Sequence, residues 1–137
     1  MCDITQSYTM YGGQRPFGVS FLFAGWDPAY GFQLYNCDPS GNYVGWKAIA
    51  VGNNNQMARD VLKKEYKEDC TYKEALVLGA EVLSKAMDIQ SLTKEKMEFA
   101  VLQRIDGRVV YQSLTNDETD ALLKKVEEKQ AAAEAAK

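Results

Sequence analysis

The chain has 137 residues, a formal net charge of −3 and no histidine, a size that suits one domain with its own hydrophobic core. So weak an acidic balance lacks the basic footprint that holds phosphate backbones, and nucleic acid is not an expected partner. Without histidine, Ser-His-Asp, Cys-His and His-Glu-x-x-His chemistries are excluded.

Charge is unevenly placed. The first 55 residues carry only Asp3, Arg15, Asp27, Asp38 and Lys47, whereas the remainder is dense in Lys, Arg, Asp and Glu. A buried, sheet-rich half followed by a solvated, helical half is expected. Cys2, Cys37 and Cys70 are too few and too scattered for a disulfide framework or a Cys-x-x-Cys metal site, so they read as reduced thiols with no metal or other cofactor implied. No apolar run reaches the length of a membrane span and no secretory leader opens the chain. The expectation is a soluble, intracellular protein with no membrane partner.

In chain order, Ile4, Tyr8 and Tyr11 fall at helical spacing and stop at Gly12-Gly13, predicting the last turns of a helix. Phe17 to Trp26 is almost continuously apolar, as in a central strand covered on both faces. Residues 30–37 and 43–52 are also strand-type and flank Asp38-Pro39-Ser40-Gly41, whose aspartate, proline and glycine suit the first, second and fourth places of a type I turn. An asparagine of the run Gly52 to Asn55 is positioned to cap a following amphipathic helix with Met57, Val61, Leu62 and Tyr66 on its apolar stripe.

Thr71 and Glu74 form a capping box for a helix from Tyr72 to Met87. One face carries Leu76, Ala80, Leu83 and Met87 and a second carries Ala75, Leu78, Val82 and Ala86, so this helix is expected to be covered twice. Strands at 96–105 and 108–114 flank Asp106-Gly107, a strong hairpin signal. Thr115 and Glu118 open a last helix through Leu122, Leu123 and Val126. Residues 127–137, alanine-rich and charged, predict a helical or disordered tail beyond a domain at 1–126. Strands and helices come in blocks, which indicates α+β layers and argues against alternating βαβ units.

Several residues invite a chemical reading, and each has a plainer one. Ser91-Leu92-Thr93-Lys94 matches Ser-x-x-Lys but lacks the companion Ser-Asp-Asn and Lys-Thr-Gly motifs, so it reads as a connector. Ser40 and Lys47 lack an orienting third group and read as a turn hydroxyl and a strand lysine. Gly12-Gly13 and Gly52-Asn53 match no phosphate-binding pattern. Trp26, Tyr30, Tyr35, Tyr43 and Trp46 have almost no basic residues among them, which favours core and subunit-interface packing over a base-stacking platform. Glu65, Glu68 and Asp69 lack calcium-loop spacing and read as a solvated face. By elimination the residues point to a domain that binds other protein.

Arg15-Pro16-Phe17-Gly18-Val19-Ser20, Asp38-Pro39-Ser40-Gly41 and Trp46-Lys47-Ala48, in this order and spacing, resemble the 20S proteasome alpha-type subunits, nearest the alpha type 4 branch. The likeness continues through Leu62 to Asp88 and Leu92 to Val110 and covers nearly the whole chain, but only the second half of a family member. It implies the second half of a four-layer α-β-β-α sandwich of the N-terminal nucleophile hydrolase type. It also implies a noncatalytic subunit in a seven-membered outer alpha ring, in contact with beta-ring subunits and regulatory caps, in the cytoplasm and nucleus. The competing readings are an N-terminal-threonine peptidase of the beta type, against which Met1 and the alpha-type motifs count, and a free-standing module derived from an alpha subunit.

Overall fold

A computed structural model describes residues 1–87 and 94–135, and the chain folds as two compact units, Met1–Val51 and Gly52–Lys137. Elements are mixed α and β in both, as the block pattern predicts.

The first unit holds α1 (Cys2–Met10) and a sheet of β1 (Phe21–Asp27), β2 (Gly31–Cys37) and β3 (Tyr43–Gly45) in that order, antiparallel throughout. α1 ends before the glycines, with Tyr11 extended and its amide bonded to the Ser7 carbonyl at 3.0 Å. Its buried residue is Thr5, while Ile4 and Tyr11 are exposed. The helix turns Thr5 inward, with Cys2 and Tyr8 partly buried.

β1 begins four residues later than the apolar run predicts. Its register sets Phe21 opposite Cys37, and β2 ends there because the chain turns at Asp38, so residues 17–20 have no ladder to join. Nor is β1 covered on both faces within this unit. Alternation along the strands puts Leu22, Phe32 and Val44 on one side of the sheet, and all three are exposed. β3 is also shorter than predicted. One more bond, Trp46 N–H to the Leu34 carbonyl at 2.8 Å, extends its pairing; residues 48–51 form no strand despite their strand-type composition.

The second unit contains α2 (Asn55–Glu65), α3 (Tyr72–Met87), a 3-10 turn at Lys94–Lys96, a hairpin of β4 (Ala100–Ile105) and β5 (Arg108–Ser113), and α4 (Asn116–Ala135). Asn54 is the residue before α2 and is left-handed (φ 55°), yet its side chain makes no capping bond. Instead its amide donates to the Ala86 carbonyl at 2.7 Å, tying the start of α2 to the end of α3. α2 buries Ala58 and partly buries Val61, Leu62 and Tyr66 of the predicted stripe, while Met57 is half exposed. α3 packs against both α2 and α4, while Ala75, Leu83 and Met87 of the predicted faces remain exposed.

The core of this unit is Ala80, Met97, Phe99, Leu122, Leu123 and Val126, with Leu76, Val77 and Leu114 against it. Burying a side chain such as Phe99 or Leu123 contributes about 1.5–3 kcal/mol. Asp106 and Gly107 both have positive φ (49° and 79°), as a two-residue type I′ hairpin turn requires. Both capping boxes form: Glu74 accepts from the Thr71 amide at 2.7 Å, and Glu118 from the Thr115 amide at 2.8 Å. The start of the charged tail continues α4, and Lys129 reaches the buried carboxylate of Glu81 at 2.8 Å.

Candidate functional site

The identifying residues of the sequence all lie in the first unit, and one group of them forms the Asp38 hairpin. The Gly41 amide donates to the Asp38 carbonyl at 3.1 Å, closing the predicted turn, and the Asp38 amide donates to the Asn42 carbonyl at 3.0 Å. Pro39, Ser40 and Gly41 thus make a three-residue loop whose last residue is left-handed at φ 89°. Asp38 is the centre of the corner. Its Oδ1 accepts from the Ser40 hydroxyl at 2.6 Å, the Ser40 amide at 2.9 Å and the Asn42 amide at 3.1 Å. These bonds, the Ser40 hydroxyl first, hold the carboxyl below its ordinary pKa.

That chemistry makes Ser40 a donor to a carboxylate that is a poor base, in a chain without histidine. The serine fastens a turn. Trp46 and Lys47 follow β3, where Trp46 contributes the backbone bond to Leu34 and both side chains are exposed. Gly45 lets the backbone pass Tyr35, since a Cβ there would lie 3.3 Å from the ring. The Tyr35 and Tyr43 rings are in contact, with centroids 6.3 Å apart.

Gly41 docks the corner on α1. A Cβ at Gly41 would stand 2.6 Å from the Cys2 carbonyl oxygen and 2.9 Å from the Gln6 backbone nitrogen. Arg15, Pro16, Phe17 and Gly18 form the lead-in to β1: Phe17 packs on Tyr8 at 4.7 Å between centroids, and these residues line one open hollow with Tyr8. Arg15 to Gly18 and Asp38 to Gly41 are thus brought to α1 by separate contacts, Tyr8 holding the first group and Cys2 and Gln6 the second.

Two features escaped the sequence reading. Asp27 closes the β1–β2 turn by accepting from the Ala29 and Tyr30 amides, each at 2.8 Å, and from the Gln33 side chain. The repeated Asp-Pro dipeptide, at 27–28 and 38–39, is the signal that could have found it. The approach of Cys2 to Cys37, 35 positions apart, has no local signal at all.

Among the described residues no group of three or more Cys, Asp or Glu side chains is placed to hold a metal ion, and no helix is long and apolar enough to cross a membrane. Ser91 and its neighbours at 88–93 lie outside the described residues.

Comparison with known proteins agrees with this structural character. The family model for proteasome subunits matches residues 1–102. The chain is 54% identical over 125 residues to proteasome subunit alpha type-4 of Petunia hybrida, covering 91% of this chain and 50% of that protein. It is 52% identical over 128 residues to proteasome subunit alpha type-4 of Dictyostelium discoideum, covering 93% and 51%. It is 54% identical over 137 residues to proteasome subunit alpha type-4-1 of Oryza sativa subsp. indica, covering 98% and 55%. The chain spans about half the length of the curated relatives it matches.

Proposed function

The chain belongs to the proteasome subunit family, and from that membership we propose that it serves as a noncatalytic structural subunit of the outer alpha ring of the 20S core particle. The observation that carries this is the alpha type-4 identity of relatives more than half identical to it across nine-tenths of its length. The local chemistry supports the same reading, because the Asp38 carboxylate is spent on the Ser40 and Asn42 amides and the Ser40 hydroxyl is spent on that carboxylate.

In this reading residues 1–126 are the second half of an alpha-subunit domain, followed by the charged, alanine-rich tail 127–137. The fold is completed as a four-layer α-β-β-α sandwich. Neighbouring alpha subunits in a seven-membered ring, beta-ring subunits and regulatory caps are the partners, and cytoplasm and nucleus the compartments. The subunit supports ring assembly and the entry of substrates into the barrel during ubiquitin-dependent degradation.

The test is purification of a tagged subunit from its own cells, followed by treatment with a threonine-directed covalent inhibitor. The subunit should travel with a complete proteolytic barrel in which other chains carry the label. A labelled residue within this chain, or a tagged chain recovered apart from other proteasome subunits, would overturn the proposal.

A further inference from the structure

Cys2 and Cys37 belong to different elements, the first residue of α1 and the last of β2. Their sulfurs stand 3.0 Å apart, the Cys2 thiol donating to Cys37 Sγ. Cys37 is fully buried and Cys2 is half-buried. Both border a hollow of about 440 Å³ that is also lined by Phe23, Tyr35 and Tyr43, so a small oxidant has a route to Cys2. The neighbouring backbone is constrained, because the Gly41 corner seats on the Cys2 carbonyl and leaves little freedom for α1 to swing away.

We propose that Cys2 and Cys37 form a built-in oxidation site, at which a peroxide converts the two thiols to a disulfide that ties α1 to β2. The Cys2 sulfur attacks a peroxide oxygen, giving a sulfenic acid and one water. The Cys37 sulfur then attacks the sulfenic sulfur; the S–S bond forms, the S–O bond breaks, and hydroxide leaves with the Cys37 proton as a second water. Overall two thiols lose two hydrogens and one peroxide becomes two waters. The sulfurs need to close by about 1 Å to reach disulfide distance. That is a side-chain adjustment, and the burial of Cys37 favours its meeting Cys2 over capture by a bulky thiol.

The hydrogen bond to Cys37, with burial second, raises the Cys2 pKa. The reduced pair therefore persists near neutral pH and reacts more slowly than an activated thiol. Cys70, half-buried in the other unit, is the internal control.

The experiment treats the assembled particle containing this chain with hydrogen peroxide, blocks remaining thiols with N-ethylmaleimide, digests without reductant and maps peptides by mass spectrometry. The expected product is one linked pair of peptides carrying Cys2 and Cys37, two hydrogens lighter than their sum and separated by dithiothreitol, with Cys70 alkylated. Cys2→Ser and Cys37→Ser should each reduce that linked species to background. The wild-type map decides the matter even if a variant fails to assemble. Cys2 and Cys37 both alkylated after peroxide, Cys2 recovered as a sulfinic acid with Cys37 alkylated, or a link from either to Cys70 or to another chain would each overturn the proposal.

Discussion

At the scale of single residues, the Asp38 corner depends on two positions for different reasons. Asp38 supplies acceptors that a turn of three residues cannot draw from its own backbone. Gly41 supplies the absence of a side chain: left-handed φ is disfavoured for L-residues by about 1–2 kcal/mol, and the Cys2 carbonyl occupies the place of its Cβ. Overpacking at such a contact costs about 1–3 kcal/mol more. Gly41→Ala in the intact subunit is therefore expected to loosen the corner and α1 by about 2–5 kcal/mol. Native-state hydrogen exchange of the α1 amides reads this directly; unchanged exchange there would show that the corner does not rest on α1. The glycine preference of a turn's fourth place was legible in the sequence, but the Cys2 contact that makes it compulsory was not.

At the scale of elements, the two capping boxes were the most legible features and strand extents the least, while the asparagine before α2 makes no capping bond. Both capping boxes form because Thr-x-x-Glu satisfies orphan amides within four residues, whatever surrounds them. Glu74 and Glu118 are held below their ordinary pKa, first by the backbone amides of Thr71 and Thr115 and then by those residues' hydroxyls. A depressed folded-state pKa means that the support is present above the unfolded glutamate value, about 4.3, and is lost as pH falls through the lower, folded value. Exchange at the first turns of α3 and α4 should accordingly rise as pH drops below about 4, once corrected for intrinsic rates, and Thr115→Ala should weaken α4 by about 1 kcal/mol at neutral pH. A first turn of α4 indifferent to both changes would remove the capping box from the account. Strand ends behave differently: β1 starts at Phe21 because β2 ends opposite it at Cys37, whereas β3 leaves the ladder at Gly45 although β2 continues to Gly31.

At the scale of the whole molecule, each unit leaves apolar sheet surface uncovered. Leu22, Phe32 and Val44 are exposed in the first, and Val109, Val110 and Tyr111 of β5 in the second. β1 and β3 are the outer strands of their sheet, and the β4–β5 ribbon has only two strands. Open edges and contiguous apolar patches promote association, and a lone two-stranded ribbon needs packing to be stable. Residues 1–137 expressed alone are expected to be insoluble or molten, with poor amide dispersion and no cooperative melt. A monomeric product with dispersed amide resonances and a sharp transition would refute this.

By itself the sequence determined whatever is settled over a few residues: the capping boxes at Thr71 and Thr115, the type I′ turn at Asp106-Gly107, the Asp38 turn, and the motifs that mark the family. Such features are short-range, so the residues that make them are adjacent in the text as well as in space. Only the tertiary structure decided which face of α1 turns inward, where β1 and β3 end, that Lys129 meets the buried Glu81, and that Cys2 lies against Cys37. Those depend on contacts between distant segments, whose partners are chosen by burial and pairing across the fold and leave no local pattern to read.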